Sequence, residues 1–275
     1  MEGEIPDVIL VCPDYVIFYA HLSYLTSISI NAFDGLLSVE DANHGDVVQG
    51  SSMPLVAFVP QDSLLFNIII HTIYKLPCSQ YNPPLDILLD AVYGLKTYGI
   101  PLHELNDFTR SLYGCIMAQI PRRPLEVYLV AAENNIEVLA VASSAHLHSL
   151  YLPDITDEMA CRMGSKYLMR LIMLHIHRTE SLKRLLRNPP SGHPDTLACG
   201  FIEQRRLSDA WAYATACLVG DLRPDFPVGL LRDTLGSLAS QVHCGACKES
   251  LKAKVRQIVL AWSTSIKVRL QLRSA

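Results

Sequence analysis

The sequence predicts an α+β protein, in which a small sheet near the N-terminus is followed by a series of helices. Two short apolar runs, residues 7–11 and 15–21, are separated only by Cys12-Pro13-Asp14, which is typical of a β-hairpin. A third extended run, residues 55–59, follows a stretch whose apolar residues have helical spacing. Beyond residue 62 the apolar residues recur at helical spacing, so no further strand is predicted.

The helical part begins with an apolar helix over residues 62–74. The next helix, over residues 85–95, follows Pro83-Pro84, which suits the preference for proline at the start of a helix. An antiparallel partner is predicted over residues 102–116, and a similar pattern returns over residues 125–150. This weak repetition predicts helical hairpins that pack on the first domain.

Proline marks the predicted boundaries. Pro121 and Pro124 flank two arginines, and residues 188–194 form a linker rich in proline and glycine. The polar segment 38–53 is expected to be an exposed loop before the third strand. The predicted parts are a first domain over residues 5–120, a helical hairpin extension over residues 124–187, and a C-terminal helical region over residues 195–270.

The composition is that of a globular chain. Of its 275 residues, 50% are hydrophobic and 18% are charged, which excludes a disordered protein. The first four residues carry two glutamates and do not resemble a secretory leader, and no apolar run is long enough to span a bilayer. Eight cysteines in such a chain predict reduced thiols or metal ligands. We therefore expect an intracellular protein, in the cytoplasm or the nucleus, without a membrane segment.

Charge is distributed unevenly. Residues 1–120 hold 13 acidic and 3 basic side chains, a net charge of −10, whereas residues 121–275 hold 14 acidic and 20 basic side chains, a net charge of +6. Three explanations of this difference stay open. The acidic and the basic half attract each other, they face different partners, or they are simply two solvated surfaces. The basic residues between 166 and 187 form a stripe of the kind that is most often solvated, so nucleic acid is not expected as a partner.

Several residues stand at characteristic places in the predicted elements: Asp7 at the start of the first strand, His21 at the end of the second, Leu25 and Ser29 four and eight residues later, the strand from Pro54 to Phe58, and Tyr74 before Pro77. With these residues, the order of elements resembles that of the BTB/POZ domain, a protein-interaction module of eukaryotic regulators. The resemblance covers roughly residues 5–120 and implies a small sheet capped by helical hairpins. Two positions depart from the family pattern: Ala32 stands where the family usually has a phenylalanine, and Gln61 stands in the usual acidic pair.

The whole chain also resembles the fungal, mushroom-type BTB proteins, which have a helical C-terminal region and a late Cys-x-x-Cys. The resemblance implies a protein–protein interaction module that forms a homodimer or a hetero-oligomer through its N-terminal domain, either by self-association or as an adaptor. In the family, dimers use the first strand and the first helix. Here that implies contacts at Val8, Leu10, Leu22, Leu25 and Phe33.

The motif Cys244-Gly245-Ala246-Cys247 is one half of a zinc-binding knuckle. Two cysteines separated by two residues direct both thiolates at one ion, and the glycine lets the backbone turn. Cys199 and His193, about fifty residues upstream, are the candidates for the other two ligands of a structural zinc. Alternatively, these cysteines are small buried apolar side chains. A thioredoxin-like pair is disfavoured because no βαβ pattern surrounds the motif.

The chain lacks the sequence signatures of common enzymes. It has no glycine-rich phosphate loop, no Gly-x-Ser-x-Gly and no His-Glu-x-x-His. We therefore predict a non-enzymatic interaction protein. Two alternatives stay open: a zinc-stabilised factor associated with nucleic acid or chromatin, and a substrate adaptor of a cullin-type ubiquitin ligase.

Overall fold

The computed structural model describes residues 5–38, 54–102 and 109–265. The protein is α+β, as predicted: three short strands lie near the N-terminus, and the rest of the described chain is mainly helical. The chain divides into two compact units, residues 1–143 and residues 144–275. Within the described residues, no helix combines the length and the apolar character needed to cross a bilayer.

The three strands form one sheet, in which β1 (Val8–Val11) lies between β2 (Ile17–Ala20) and β3 (Leu55–Phe58). β1 pairs with β2 in the antiparallel direction, which confirms the predicted hairpin, and with β3 in the parallel direction. Side chains alternate between the two faces of a sheet. Val8 and Leu10 are buried on the inner face.

The first helix, α1 (Leu22–Ile28), follows β2 directly. The carboxylate of Asp7 accepts a hydrogen bond from the Leu22 amide at 2.7 Å, which satisfies one of the free donors at the start of a helix. The hydroxyl of Tyr74 accepts a hydrogen bond from the His21 amide at 2.9 Å and lies 3.0 Å from Nδ1 of the same histidine. These polar groups fix the junction between the sheet and α1.

The second helix, α2 (Ser63–Ile73), places the buried Phe66 against Phe18 on the inner face of the sheet. Asp62 caps it by accepting a hydrogen bond from the Leu65 amide at 2.9 Å. The ring of Phe66 lies edge-on to that of Phe18, with 5.1 Å between the centroids. The apolar side of α2 thereby closes the core beneath the sheet.

Further helices complete the N-terminal unit. Their bounds are α3 (Leu85–Thr97), α4 (Arg110–Gln119), α5 (Pro124–Glu133) and α6 (Glu137–Ser144). α3 packs against α2, α4 and α5. Its close approach to α2 depends on Gly94, where a Cβ atom would lie 2.4 Å from Cδ1 of Ile69. After α3, Tyr98 stacks on Phe33 with 4.0 Å between the ring centroids.

The described part of the C-terminal unit contains four α-helices around one apolar core. They are α7 (Asp157–Arg187), α8 (Phe201–Gly220), α9 (Val228–Ser237) and α10 (Gly245–Ser265). α7 is interrupted at Gly164, whose φ of 64° is not helical. The core includes both tryptophans, Trp211 and Trp262. Their indole N–H groups donate to the carbonyls of Leu186 at 3.0 Å and Phe226 at 2.9 Å, so neither buried ring leaves a donor unpaired.

The division into units differs from the predicted one. The sequence groups residues 124–187 into a single helical extension. In the structure, α5 packs against α3 in the N-terminal unit, whereas α7 packs against α8 and α10 in the C-terminal unit. The prolines at 121 and 124 mark the start of a helix, and the same local signal also accompanies domain boundaries. The linker at 188–194 is non-helical, as predicted, but lies within the C-terminal unit.

Three predicted segments lie wholly or partly outside the described residues. They are residues 39–53 of the predicted loop, the beginning of the helix predicted over residues 102–116, and residues 266–270 at the end of the C-terminal region. The described part of the second segment confirms a helix, because α4 runs from Arg110 to Gln119.

Candidate functional site

Most of the predicted contact residues lie in the core. Val8, Leu10, Leu25 and Phe33 are each 0% exposed, and only Leu22 is partly exposed. Val8 and Leu10 point to the inner face of the sheet, and Phe33 stacks on a buried tyrosine ring. These four residues cannot make a surface contact unless the unit opens its own core. The expectation that they form the contact surface is therefore corrected.

The opposite face of the sheet is exposed and apolar. We call this the outer sheet face, and its six side chains are Ile9, Val11, Ile17, Tyr19, Val56 and Phe58. The register arranges them in two rows of three, centred on Ile9 and Val11. Tyr19 and Phe58 are 66% and 72% exposed, and Ile17 and Val56 are about half exposed. A sheet face turned to water normally carries polar side chains, so this face is a candidate contact surface.

Four side chains of the C-terminal unit converge at one point. We call them the thiol–histidine cluster: His193, Cys199, Cys244 and Cys247. One ligand atom from each lies within 4.8 Å of the others. The Sγ atoms of Cys199 and Cys247 are 3.7 Å apart, much too far for a disulfide. Nε2 of His193 is 3.4 Å from Sγ of Cys244 and 3.3 Å from Sγ of Cys247. All four predicted ligands therefore meet.

The three distances between ligand atoms given above correspond to edges of a zinc tetrahedron. Zinc binds thiolate sulfur at about 2.3 Å and imidazole nitrogen at about 2.0–2.1 Å. Tetrahedral angles then place two sulfurs about 3.8 Å apart, and a sulfur and a nitrogen about 3.5 Å apart. The observed 3.7 Å, 3.4 Å and 3.3 Å match these values closely.

His193 is held in place by α8 and by its own backbone. Gln204 accepts a hydrogen bond from the His193 amide at 3.0 Å and donates one to the His193 carbonyl at 2.9 Å. Nδ1 of His193 donates to the carbonyl of Pro194 at 2.7 Å, and since a carbonyl can only accept, Nδ1 carries the proton. Nε2 is therefore left to face the thiols. Gly192 makes room, because a Cβ atom there would lie 2.7 Å from Oε1 of Gln204.

The cysteines come from the starts of two helices. Cys199 lies two residues before α8 and closes a tight turn. The Thr196 amide donates to the Cys199 carbonyl, and the Cys199 amide donates to the Thr196 carbonyl. Cys244 immediately precedes α10, and Cys247 lies in the first turn of that helix. The Lys248 amide donates to the Cys244 carbonyl at 3.1 Å. Cys199 and Cys247 belong to the apolar core, whereas Cys244 is half-buried.

The three thiols differ in acidity. A hydrogen bond from the Cys247 backbone lowers the pKa of Cys244 to about 7. Burial raises the pKa of Cys199 to about 12 and also raises the pKa of Cys247. The hydrogen bond to the Pro194 carbonyl raises the pKa of His193. Cys244 is therefore the most readily ionised of the three thiols, and a metal cation at this point would favour deprotonation of the other two.

The donor set suits a closed, structural metal site. Three thiolates and one imidazole are soft ligands of the kind that select zinc, and four protein ligands leave no open position for water or substrate. The alternative interpretation, small buried apolar cysteines, accounts for Cys199 and Cys247. It does not account for the half-buried His193 and Cys244, which point at the same centre.

Sequence reasoning missed the outer sheet face and the support of His193. The sequence does contain a pattern that indicates the outer sheet face. In residues 7–11 and 15–21 both alternating sets of side chains are largely apolar, which is typical of strands buried on both sides. Gln204 and Gly192 had no local signal. Their roles arise only when the segment at 188–194 folds back on α8.

Comparisons with known proteins identify no relative. No protein-family model matches this chain, and neither a curated protein nor a solved structure matches it. The resemblance to the BTB/POZ domain therefore stays a prediction, and function must be inferred from the outer sheet face and the thiol–histidine cluster.

Proposed function

We propose that this chain is a non-enzymatic protein-interaction module of the BTB/POZ type, which assembles through its N-terminal unit. The observation that supports the proposal best is the outer sheet face, where all six outward side chains are aliphatic or aromatic. The partner is a second copy of the chain, and the two outer sheet faces pack against each other. Packing of one sheet on another is a common way to bury such faces.

The size of the outer sheet face supports a weak, reversible dimer. At the observed exposures, its four most exposed side chains contribute roughly 400 Å² of apolar surface. This is comparable to the largest apolar patches on single protein chains, which often mark contact sites. Two such faces together bury about 800 Å², which is small for a permanent interface. We therefore expect the oligomeric state to depend on concentration.

The arrangement of the first strands and helices supports the BTB/POZ assignment. Asp7, His21 and Tyr74, which are among the residues that carry the resemblance, meet where the sheet joins α1. In addition, all eight cysteines are free. Free thiols are typical of reducing compartments, which supports a location in the cytoplasm or the nucleus.

The test is a charge substitution on the outer sheet face. Phe58→Lys places a cation in the proposed contact, where it must be desolvated, so association should weaken by at least about tenfold. Multi-angle light scattering over a range of concentrations measures the mass of each variant. The wild type should shift from one chain toward two, and Phe58→Lys should remain a single chain.

Ile30→Lys is the matched control. Ile30 is 87% exposed in the same unit but lies outside the three strands. Its substitution should leave the association unchanged. Equal masses for the wild type and Phe58→Lys at every concentration would contradict self-association through this face, provided that circular dichroism shows both to be folded.

A further inference from the structure

We propose that the thiol–histidine cluster binds one Zn²⁺ as a structural site. The ligands are the Sγ atoms of Cys199, Cys244 and Cys247 and the Nε2 atom of His193. The ion contributes to the stability of the C-terminal unit and has no part in a reaction, because the protein supplies all four positions of the tetrahedron.

The site has features that buried cysteines without a metal do not require. The histidine ring is fixed with its protonated Nδ1 on a backbone carbonyl, an outer hydrogen bond that metal-ligating histidines almost always make. Gln204 hydrogen-bonds to both the amide and the carbonyl of the same residue, and Gly192 leaves room for the Gln204 side chain. These contacts aim Nε2 at two sulfur atoms.

The surroundings also provide access and compensating charge. A cavity of about 230 Å³ borders all three cysteines, and Arg206 and His243 line it as well. It gives a path by which an ion enters. Three thiolates, one neutral imidazole and Zn²⁺ carry a net charge of −1, which the amides at the start of α10 can offset.

The ion ties together segments that are distant in the sequence. Cys199 precedes α8, and Cys247 lies 48 residues later in α10. His193 belongs to the non-helical segment between α7 and α8, which is otherwise held by a few hydrogen bonds, such as that from Ser250 to the Ser191 carbonyl at 2.6 Å. Loss of the ion should therefore release this segment and the beginnings of both helices, since the binding energy of a structural zinc contributes directly to folding.

The experiment measures zinc in the full chain, which is produced with zinc in the medium, purified without chelators and dialysed. Inductively coupled plasma mass spectrometry should find one zinc per chain. In Cys199→Ser the affinity for zinc should fall by more than about tenfold. Even the loss of a group that only hydrogen-bonds to a metal ligand lowers metal affinity by about that factor. Cys217→Ser is the matched control, since Cys217 is exposed on α8 and outside the cluster, and it should keep its zinc.

A second series does not depend on a buried cysteine. His193→Ala should weaken zinc binding in competition with a chromophoric chelator, whereas His193→Cys should restore it, because a fourth thiolate is also a zinc ligand. Co²⁺ bound to the wild type should give the intense visible bands of a tetrahedral thiolate site. The proposal would be overturned by a wild type that binds neither ion, or by equal loss of zinc in Cys199→Ser and Cys217→Ser.

Discussion

The N-terminal unit leaves an apolar sheet face exposed, whereas the C-terminal unit gathers its apolar side chains between helices and brings four soft ligands together beside that core. The first arrangement offers an apolar surface to another protein, and the second offers donor atoms to a metal ion. The two proposals together make one chain depend on two different external components: another protein for the N-terminal unit and a metal ion for the C-terminal unit.

The two units can be followed separately, because tryptophan fluorescence reports on the C-terminal unit and solution mass reports on association through the N-terminal unit. The sequence has two tryptophans, and both lie in the core of the C-terminal unit. Tryptophan fluorescence therefore reports the unfolding of that unit alone. Zinc removal should change this signal and leave the mass of the complex unchanged, whereas substitutions on the outer sheet face should do the reverse.

The largest expected effect is that of Trp262→Ala. The ring is 0% exposed, its N–H bonds to the Phe226 carbonyl, and the guanidinium of Arg178 lies 4.0 Å from the ring centroid. The variant leaves a cavity and unpaired polar groups, so the free energy of unfolding should fall by about 3–5 kcal/mol. Urea titration followed by the fluorescence of Trp211 measures the change. Leu260→Ala, on the exposed side of the same helix, should cost less than about 0.5 kcal/mol.

Two phenylalanine substitutions compare how much the inner and the outer face of the sheet contribute to stability. Phe66→Ala removes a fully buried ring that packs against Phe18, so the N-terminal unit should lose about 3–5 kcal/mol. Phe58→Ala removes a ring that is 72% exposed in the single chain, and it should cost less than about 1 kcal/mol at low concentration. Calorimetry on dilute samples measures both. Equal losses would mean that the inner and outer faces are wrongly assigned.

Two glycine substitutions test the backbone of the N-terminal unit, and their expected effects on the free energy of unfolding are smaller. Gly99 has a φ of +70°, and a Cβ atom there would lie 2.4 Å from Oδ1 of Asn31, so Gly99→Ala should destabilise by about 1–3 kcal/mol. Gly114, inside α4, has open space around it, and Gly114→Ala should stabilise by about 0.5–1 kcal/mol because alanine favours the helix. Thermal unfolding should shift in opposite directions for the two variants.

The smallest effect concerns pH. His175 is 5% exposed and hydrogen-bonds to the Leu147 carbonyl at 2.9 Å, and burial lowers its pKa below 6.5. The unfolded chain therefore takes up a proton at a higher pH than the folded chain does. As a result, stability should fall as the pH drops from about 6.5 through the lowered pKa. His175→Gln should reduce this slope in zinc-saturated protein, as measured by urea unfolding between about pH 5 and pH 7. An identical slope in both proteins would contradict the assignment.

Local patterns predicted much of the structure. The hairpin at 7–21 and the strand at 55–59 were recognisable from short apolar runs and the turn between them, and the helices from their spacing. The four candidate ligands were recognisable because Cys-x-x-Cys is typical of metal sites and directs attention to Cys199 and His193 as further ligands. All four converge in the structure.

The failures concern information that local patterns do not contain. The resemblance implied contacts on the first strand, and Val8 and Leu10 were named for that reason, although they are buried. Because both sets of alternating side chains on this strand are apolar, the sequence does not say which set faces the core. The predicted grouping of residues 124–187 into one extension also differs from the two compact units. The expected packing of the hairpins on the first domain agrees with α5, which contacts α3, whereas α7 contacts α8 and α10. Which unit a helix joins is decided by tertiary contacts that local patterns do not contain.

The most direct test of the central claim is the solution mass of the full chain and of residues 1–143, measured by light scattering over a range of concentrations. If the outer sheet face joins two copies, both proteins should shift from one chain toward two, with similar midpoints. Monomers at every concentration for both proteins would contradict the claim that the N-terminal unit mediates self-association.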